Sequence, residues 1–190
     1  MFSSDNTRDR VLNAALELFA ERGYFTTSVH DIARLAGISI GSIYHHFGDK
    51  EGIAQSLVSL LTTHMEGLIR SGAAGHGSAH DRAHGVVARL FQFAEQEPRA
   101  MDFMLTARHR EFLPSAPPVC ASRPFQMMRE IVAEGMETGE IERMDVMIAA
   151  SCLFGGPLRL IATRIDGLLD RPLPETLDEV WPLAWRSVAR

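Results

Sequence analysis

Residues 26–50 read TTSVHDIARLAGISIGSIYHHFGDK, and their spacing decides the fold. Ser28 with Asp31 three residues later is a capping-box pair that starts a helix: the serine oxygen accepts a backbone N–H, and the carboxylate reaches back to the serine's own N–H. Val29, Ile32, Ala33 and Ala36 fall at i, i+3, i+4 and i+7, an apolar stripe that faces a core. Gly37 is placed to end that helix in the left-handed conformation, which strains a residue without Cβ least. Ile38 fills the turn, Ser39 caps a second helix, and residues 40–47 supply it. Two short helices joined so tightly form a helix-turn-helix, whose second helix fits a DNA major groove.

The flanking sequence extends the same pattern. Residues 7–22 carry a broad apolar face of Val11, Leu12, Ala15, Leu16, Leu18 and Phe19, and so form a first helix. Gly23 ends it, and Tyr24 and Phe25 are expected to pack back onto the bundle. Three helices in so short a stretch bury little core, so they should lean on the helices C-terminal to them. Gly48 closes the motif and Asp49 caps a long helix to about residue 71, with Ile53, Leu57, Leu61, Met65 and Ile69 at helical spacing. The glycine-rich residues 72–78 predict a loop. Helices come next over 79–97, 99–112 and 125–137, with a proline- and serine-rich loop at 114–124. Residues 146–166 are the most apolar helix and contain Gly155, Gly156 and Pro157, which cost about 1 kcal/mol per glycine and 3 kcal/mol for the proline. A kink or a tight helix contact should offset that. A last helix over 175–188 carries Trp181 and Trp185 at i, i+4. No segment alternates with the period of a strand. The expected fold is all-α: a helix-turn-helix domain over residues 1–48, a connecting helix over 49–71, and a larger helical domain over 73–190.

Composition narrows the functional classes. The chain has 190 residues, 46% hydrophobic and 23% charged, as in an ordinary globular protein. No apolar run approaches the roughly 20 residues that span a bilayer, and the N-terminus lacks the basic-then-apolar order of a secretory signal. Cys120 and Cys152 are too few for a disulfide framework or a zinc site. A cytoplasmic protein without a membrane partner is expected. No nucleophile motif, phosphate loop or complete metal-ligand set is present, so neither an enzyme nor a cofactor is expected. His76, His80 and His84 form an i, i+4, i+8 ladder that nothing completes as a metal site. Nothing near Cys120 in sequence lowers its pKa. The net charge is −5, and residues 1–52 carry five Lys/Arg against seven Asp/Glu. That balance leaves open a helical interaction module that does not bind DNA, although only the contacting face need be positive. Lys50 is the one lysine among eighteen arginines.

The run Phe19, Gly23, Thr27, Asp31-Ile32-Ala33, Ala36-Gly37-Ile38-Ser39, Gly41, Ile43-Tyr44, His46-Phe47 and Lys50-Glu51 resembles the DNA-binding domain of TetR-family transcriptional repressors. The resemblance implies that Ile40, Gly41, Ser42 and Tyr44 present the start and middle of a recognition helix. Gly41 lets the backbone approach the groove, Ser42 donates to a base edge or phosphate, and Ile40 meets a thymine methyl. Thr27, Ser28, Tyr44, His45 and Lys50 are expected to donate to phosphates, which sets register rather than sequence. Ile43 and Phe47 are expected in the core. The resemblance further implies a ligand cavity in the C-terminal part, with Phe91, Phe103, Met104, Phe125, Met128, Met136 and Phe154 as lining candidates. The same Met/Phe stripe equally describes an ordinary core. His109 and Arg159 are cations suited to an anionic ligand group, or to ion pairs with Glu111, Glu130 or Asp166. The implied protein is a homodimer joined through its last two helices, which reads a palindromic operator and is released from it by a small molecule.

Overall fold

The computed structural model describes residues 6–106, 109–114 and 121–190. These residues form helices α1 (Thr7–Arg22), α2 (Val29–Ala36), α3 (Ile40–Phe47), α4 (Lys50–Ala73), α5 (Ala79–Gln96), α6 (Pro98–Thr106), α7 (His109–Phe112), α8 (Arg123–Thr138), α9 (Val146–Ile165) and α10 (Leu173–Arg186). The fold is all-α, and among the described residues the only β feature is an isolated bridge between Ile141 and Ala189. Two compact units result: Met1–Thr63 with Arg99–Val119, and His64–Pro98 with Cys120–Arg190. Packing therefore groups Arg99–Val119 with the N-terminal helices, whereas the sequence reading places that segment in its 73–190 domain.

In the first unit the caps read from sequence are all present. Ser28 Oγ accepts from Asp31 N–H at 3.1 Å, and Ser28 N–H donates to Asp31 Oδ2 at 3.1 Å. Hydrogen bonds from Ser28, the side-chain bond first, hold the Asp31 carboxyl below its usual pKa. Gly37 ends α2 in the left-handed region at φ 64°, and Ser39 Oγ accepts from Ser42 N–H at 3.2 Å. Val11, Leu12, Ala15, Phe19, Ile32, Ala33, Ile43, Ile53 and Leu57 are buried. Arg10 adds a clamp absent from the sequence reading: its guanidinium donates to the carbonyls of Ala36 (2.6 Å) and Gly37 (3.3 Å). A cation there complements the negative end of α2. Tyr24 packs inward, but Phe25 is 67% exposed, against expectation.

In the second unit, Gly72 lies in the last turn of α4 rather than in the expected loop. A Cβ on Gly85 would stand 2.1 Å from the Gly72 carbonyl oxygen, so α4 and α5 cross backbone against backbone. The described parts of the expected helix over 99–112 are α6 and α7; residues 107–108, like Cys120, lie outside the described residues. The α9 helix runs through Gly155, Gly156 and Pro157. By length and composition it is apolar enough to cross a membrane, which corrects the expectation that no run is long enough. A third of its most apolar window is buried, 33%, through Ala149, Ala150, Leu153, Phe154, Pro157 and Ile161. His80 and His84 are aromatic partners of Trp181. Trp181 Nε1–H donates to His80 Nε2 at 2.8 Å, and the His84 ring lies 5.3 Å from Trp181.

Glu95 ties this unit together. Its carboxylate accepts from Arg164 Nε (2.9 Å) and Nη2 (3.2 Å), and from Leu173 N–H (2.9 Å) at the start of α10. The Arg164 bonds come first in holding the Glu95 carboxyl below its ordinary value of 4.5. A group with a depressed folded pKa contributes stability above its unfolded pKa and loses it as pH falls through the folded value. Glu95→Gln should therefore lower the melting temperature by roughly 2–4 °C at pH 7. Wild type and variant should converge on acidification below pH 4.5, and parallel curves would reject the assignment.

Candidate functional site

The α3 helix is anchored on one side and free on the other. Ile43 is fully buried and Phe47 is 9% exposed, so residues four apart hold the helix to the unit. Tyr44 between them is 50% exposed, and Gly41, His45 and His46 are exposed. A Cβ on Gly41 would meet nothing within 4 Å, so open space lies over the first turn of α3. Ile40 and Ser42 are half-buried. Ser28, at the N-cap of α2, is exposed, with its hydroxyl bonded to Asp31 Oδ2 at 2.5 Å.

Two of the expected phosphate donors have structural partners. Thr27 is 2% exposed, and its hydroxyl donates to the Gly23 carbonyl at 2.9 Å, closing α1. That proton is engaged, so the side chain holds the α1–α2 turn. Lys50 is half-buried: Nζ donates to the carbonyls of Thr27 (2.9 Å) and Tyr24 (3.0 Å) and lies 4.2 Å from the centre of the Tyr24 ring. Burial lowers its pKa. An ammonium has three donors, so one proton remains for another acceptor. The first residue of α4 thus locks the turn that precedes α2.

Sequence reasoning misses Gly52. An added Cβ there would stand 1.9 Å from the Phe47 carbonyl oxygen, while Gly52 N–H donates to Asp49 Oδ1 at 2.8 Å. The one available signal is a glycine in the first turn of a long helix, a position that normally favours residues other than glycine.

Residues 11–57 match the model of bacterial regulatory proteins of the tetR family. Over that stretch the chain is a member of the TetR family. It is 40% identical over 67 residues to the HTH-type transcriptional regulator HbdR of Aromatoleum sp. (strain CIB), covering 35% of this chain and 29% of that protein. Against the HTH-type transcriptional repressor BepR of Brucella suis biovar 1 (strain 1330), identity is 31% over 129 residues, 67% of this chain and 61% of that one. The match thus spans less than a third of HbdR's length. The structure of the transcriptional regulator FadR from Bacillus subtilis in complex with stearoyl-CoA aligns with a TM-score of 0.77 at 23% identity, over 94% of this chain and 97% of that one. This likeness carries the TetR-family fold over nearly the whole chain.

The nine expected ligand residues divide between the two units. Phe125, Met128 and Phe154 line an apolar pocket of about 210 Å³ between α8 and α9 of the second unit, with Met147, Ala150 and Leu158. Phe91 is fully buried in that unit, and Arg159 is exposed on α9. Phe103, Met104 and His109 belong to the first unit. His109 is 5% exposed, its Nε2 has no hydrogen-bond partner among the described residues, and burial lowers its pKa. His109 therefore favours the neutral form, which argues against a cationic role for it in this fold.

Proposed function

We propose that this chain is a ligand-responsive transcriptional repressor that binds a palindromic operator as a homodimer in the cytoplasm. The observation that carries this reading is α3: fixed through Ile43 and Phe47, it turns Gly41, Tyr44 and His45 outward, and Ser28 at the cap of α2 is exposed as well. Ile40, Gly41 and Ser42 read base edges, while Ser28, Tyr44, His45 and the third Lys50 proton meet phosphates. Thr27 acts through the turn it closes. Two recognition helices bind successive major grooves about 34 Å apart. Support for repression comes from the likeness to BepR, a repressor by name. A small apolar effector enters at Phe125, Met128 and Phe154, and its binding disfavours the DNA-competent pose by a coupling of about 1–3 kcal/mol.

Selection of bound duplexes from a random DNA pool tests the reading. Wild-type protein should enrich a palindrome and bind it more weakly as salt rises, because phosphate contacts release counterions. Tyr44→Ala, at a half-exposed position, should keep the fold and lose roughly tenfold or more in affinity. Failure of folded, ligand-stripped wild type to enrich any sequence would favour the interaction-module reading, which the acidic balance of residues 1–52 keeps open.

A further inference from the structure

The first unit contains a second cavity, of about 240 Å³, between α1 with its adjoining turn and the α6–α7 segment. Its walls are aromatic: Phe19, Tyr24, Phe25, Phe103 and Phe112. The rings form a connected set. Tyr24 stacks on Phe112 with centres 4.4 Å apart, meets Phe19 and Phe25 at 5.3 Å each, and Phe19 stacks on Phe103 at 6.3 Å. Phe25, 67% exposed, is an aromatic ring offered to the opening instead of the core. Asp102 and Glu111 complete the lining, and no Lys, Arg or His appears among its described residues. Asp102 Oδ1 accepts from the Thr106 hydroxyl at 2.9 Å, which orients the carboxylate.

Aromatic faces carry negative potential and attract cations within about 6 Å of the ring centre. This ring set already does so, since the Lys50 ammonium sits 4.2 Å from the Tyr24 centroid. Burial first, then the charges of Glu51 and Asp49, raise the Tyr24 phenol pKa, in keeping with a negative field at this side of the unit. We propose that the cavity binds a small organic cation, an alkyl- or arylammonium, held by the faces of Phe19, Phe25 and Phe112 and by the carboxylate of Asp102. A neutral apolar guest would gain nothing from that carboxylate, which also disfavours an anion. The occupant also touches Tyr24, whose carbonyl and ring hold Lys50. Occupancy thereby reaches the turn before α2, and this last step rests on the DNA-binding reading above.

The test uses the full chain and phenyltrimethylammonium, with its neutral isostere tert-butylbenzene as control, in isothermal titration and thermal melts. Saturable binding of the cation is expected, at least tenfold tighter than the isostere. Asp102→Asn, which keeps an acceptor for Thr106, should weaken the cation about tenfold and leave the melting temperature unchanged. Phe112→Leu should weaken it as well. Equal binding of cation and isostere, unchanged affinity in Asp102→Asn, or no saturable binding to folded wild type would each overturn the proposal. Cation binding by a protein that selects no DNA would support the site while refuting the operator reading, so the two fail separately.

Discussion

On the proposed homodimer, Ile148→Asp is expected to give a monomer and to lower affinity for the proposed operator by roughly 10²–10⁴-fold. The helices α9 and α10 bury one apolar face in their own unit and turn another outward. Ile148 is 58% exposed and Leu183 66%. Gly155 and Gly156 lie further along α9, and a Cβ on either would meet nothing within 4 Å. Within one chain nothing offsets the roughly 1 kcal/mol that each glycine costs a helix. A second copy laid against this strip could approach closely at both. Two-fold symmetry makes such a contact self-complementary, so one substitution alters both halves. It would bury two carboxylates near one another without partners, and each costs several kcal/mol. The loss of DNA affinity arises because a tethered second half-site binds at an effective concentration of about a millimolar, which a monomer forgoes. Because Ile148 is exposed in the single chain, the fold should persist with unchanged helicity. Sedimentation and operator titration read both effects. A variant that stays dimeric would place the interface elsewhere.

The parts of this architecture that are legible in sequence are those with local chemistry. A capping box spans three residues, so Ser28 and Asp31 declare the start of α2 with no reference to the rest of the chain. The left-handed Gly37 and the caps at Ser39 and Ser78 are local in the same sense. The alternation of buried Ile43 and Phe47 with exposed Tyr44 comes from helical period once those ends are known. Sequence does not supply which face meets which. A stripe of Phe and Met says that a helix is apolar on one side; it does not say that Phe103 and Met104 belong to the first unit while Phe125 and Phe154 share a pocket in the second. Lys50 stands out in the sequence as the one lysine, yet its bonds to two carbonyls 23 and 26 residues upstream depend on tertiary structure alone. The histidine ladder is ambiguous for the same reason, since Trp181 lies 101 residues from His80. Glycines are the instructive middle case. Gly72, Gly85 and Gly52 sit inside helices at a local cost, and that cost is a visible hint of close contact whose partner only the structure names.

Gly52 makes the hint quantitative. Gly52→Ala places a methyl 1.9 Å from the carbonyl oxygen of Phe47, the last residue of α3. The contact is with backbone, so no flexible side chain can yield, and α3 must move relative to the start of α4 or the α4 N-terminus must unwind. Either response disturbs the Asp49 cap, whose Oδ1 accepts from Gly52 N–H. Overpacking of this kind costs about 3 kcal/mol, enough to lower the melting temperature by roughly 6–12 °C in a chain of this size. Operator binding should fall further than the residual folded fraction explains, because the surviving fold carries a displaced α3. Gly41→Ala provides the opposite case on the same helix. Its Cβ enters open space, so the fold should be at least as stable, and any loss of affinity reports the space the groove needs over the first turn. A Gly52→Ala protein with normal stability would mean that α3 and α4 meet less closely than 1.9 Å implies. One with lowered stability and unaltered affinity per folded molecule would show that the junction supports the fold without aiming the recognition helix.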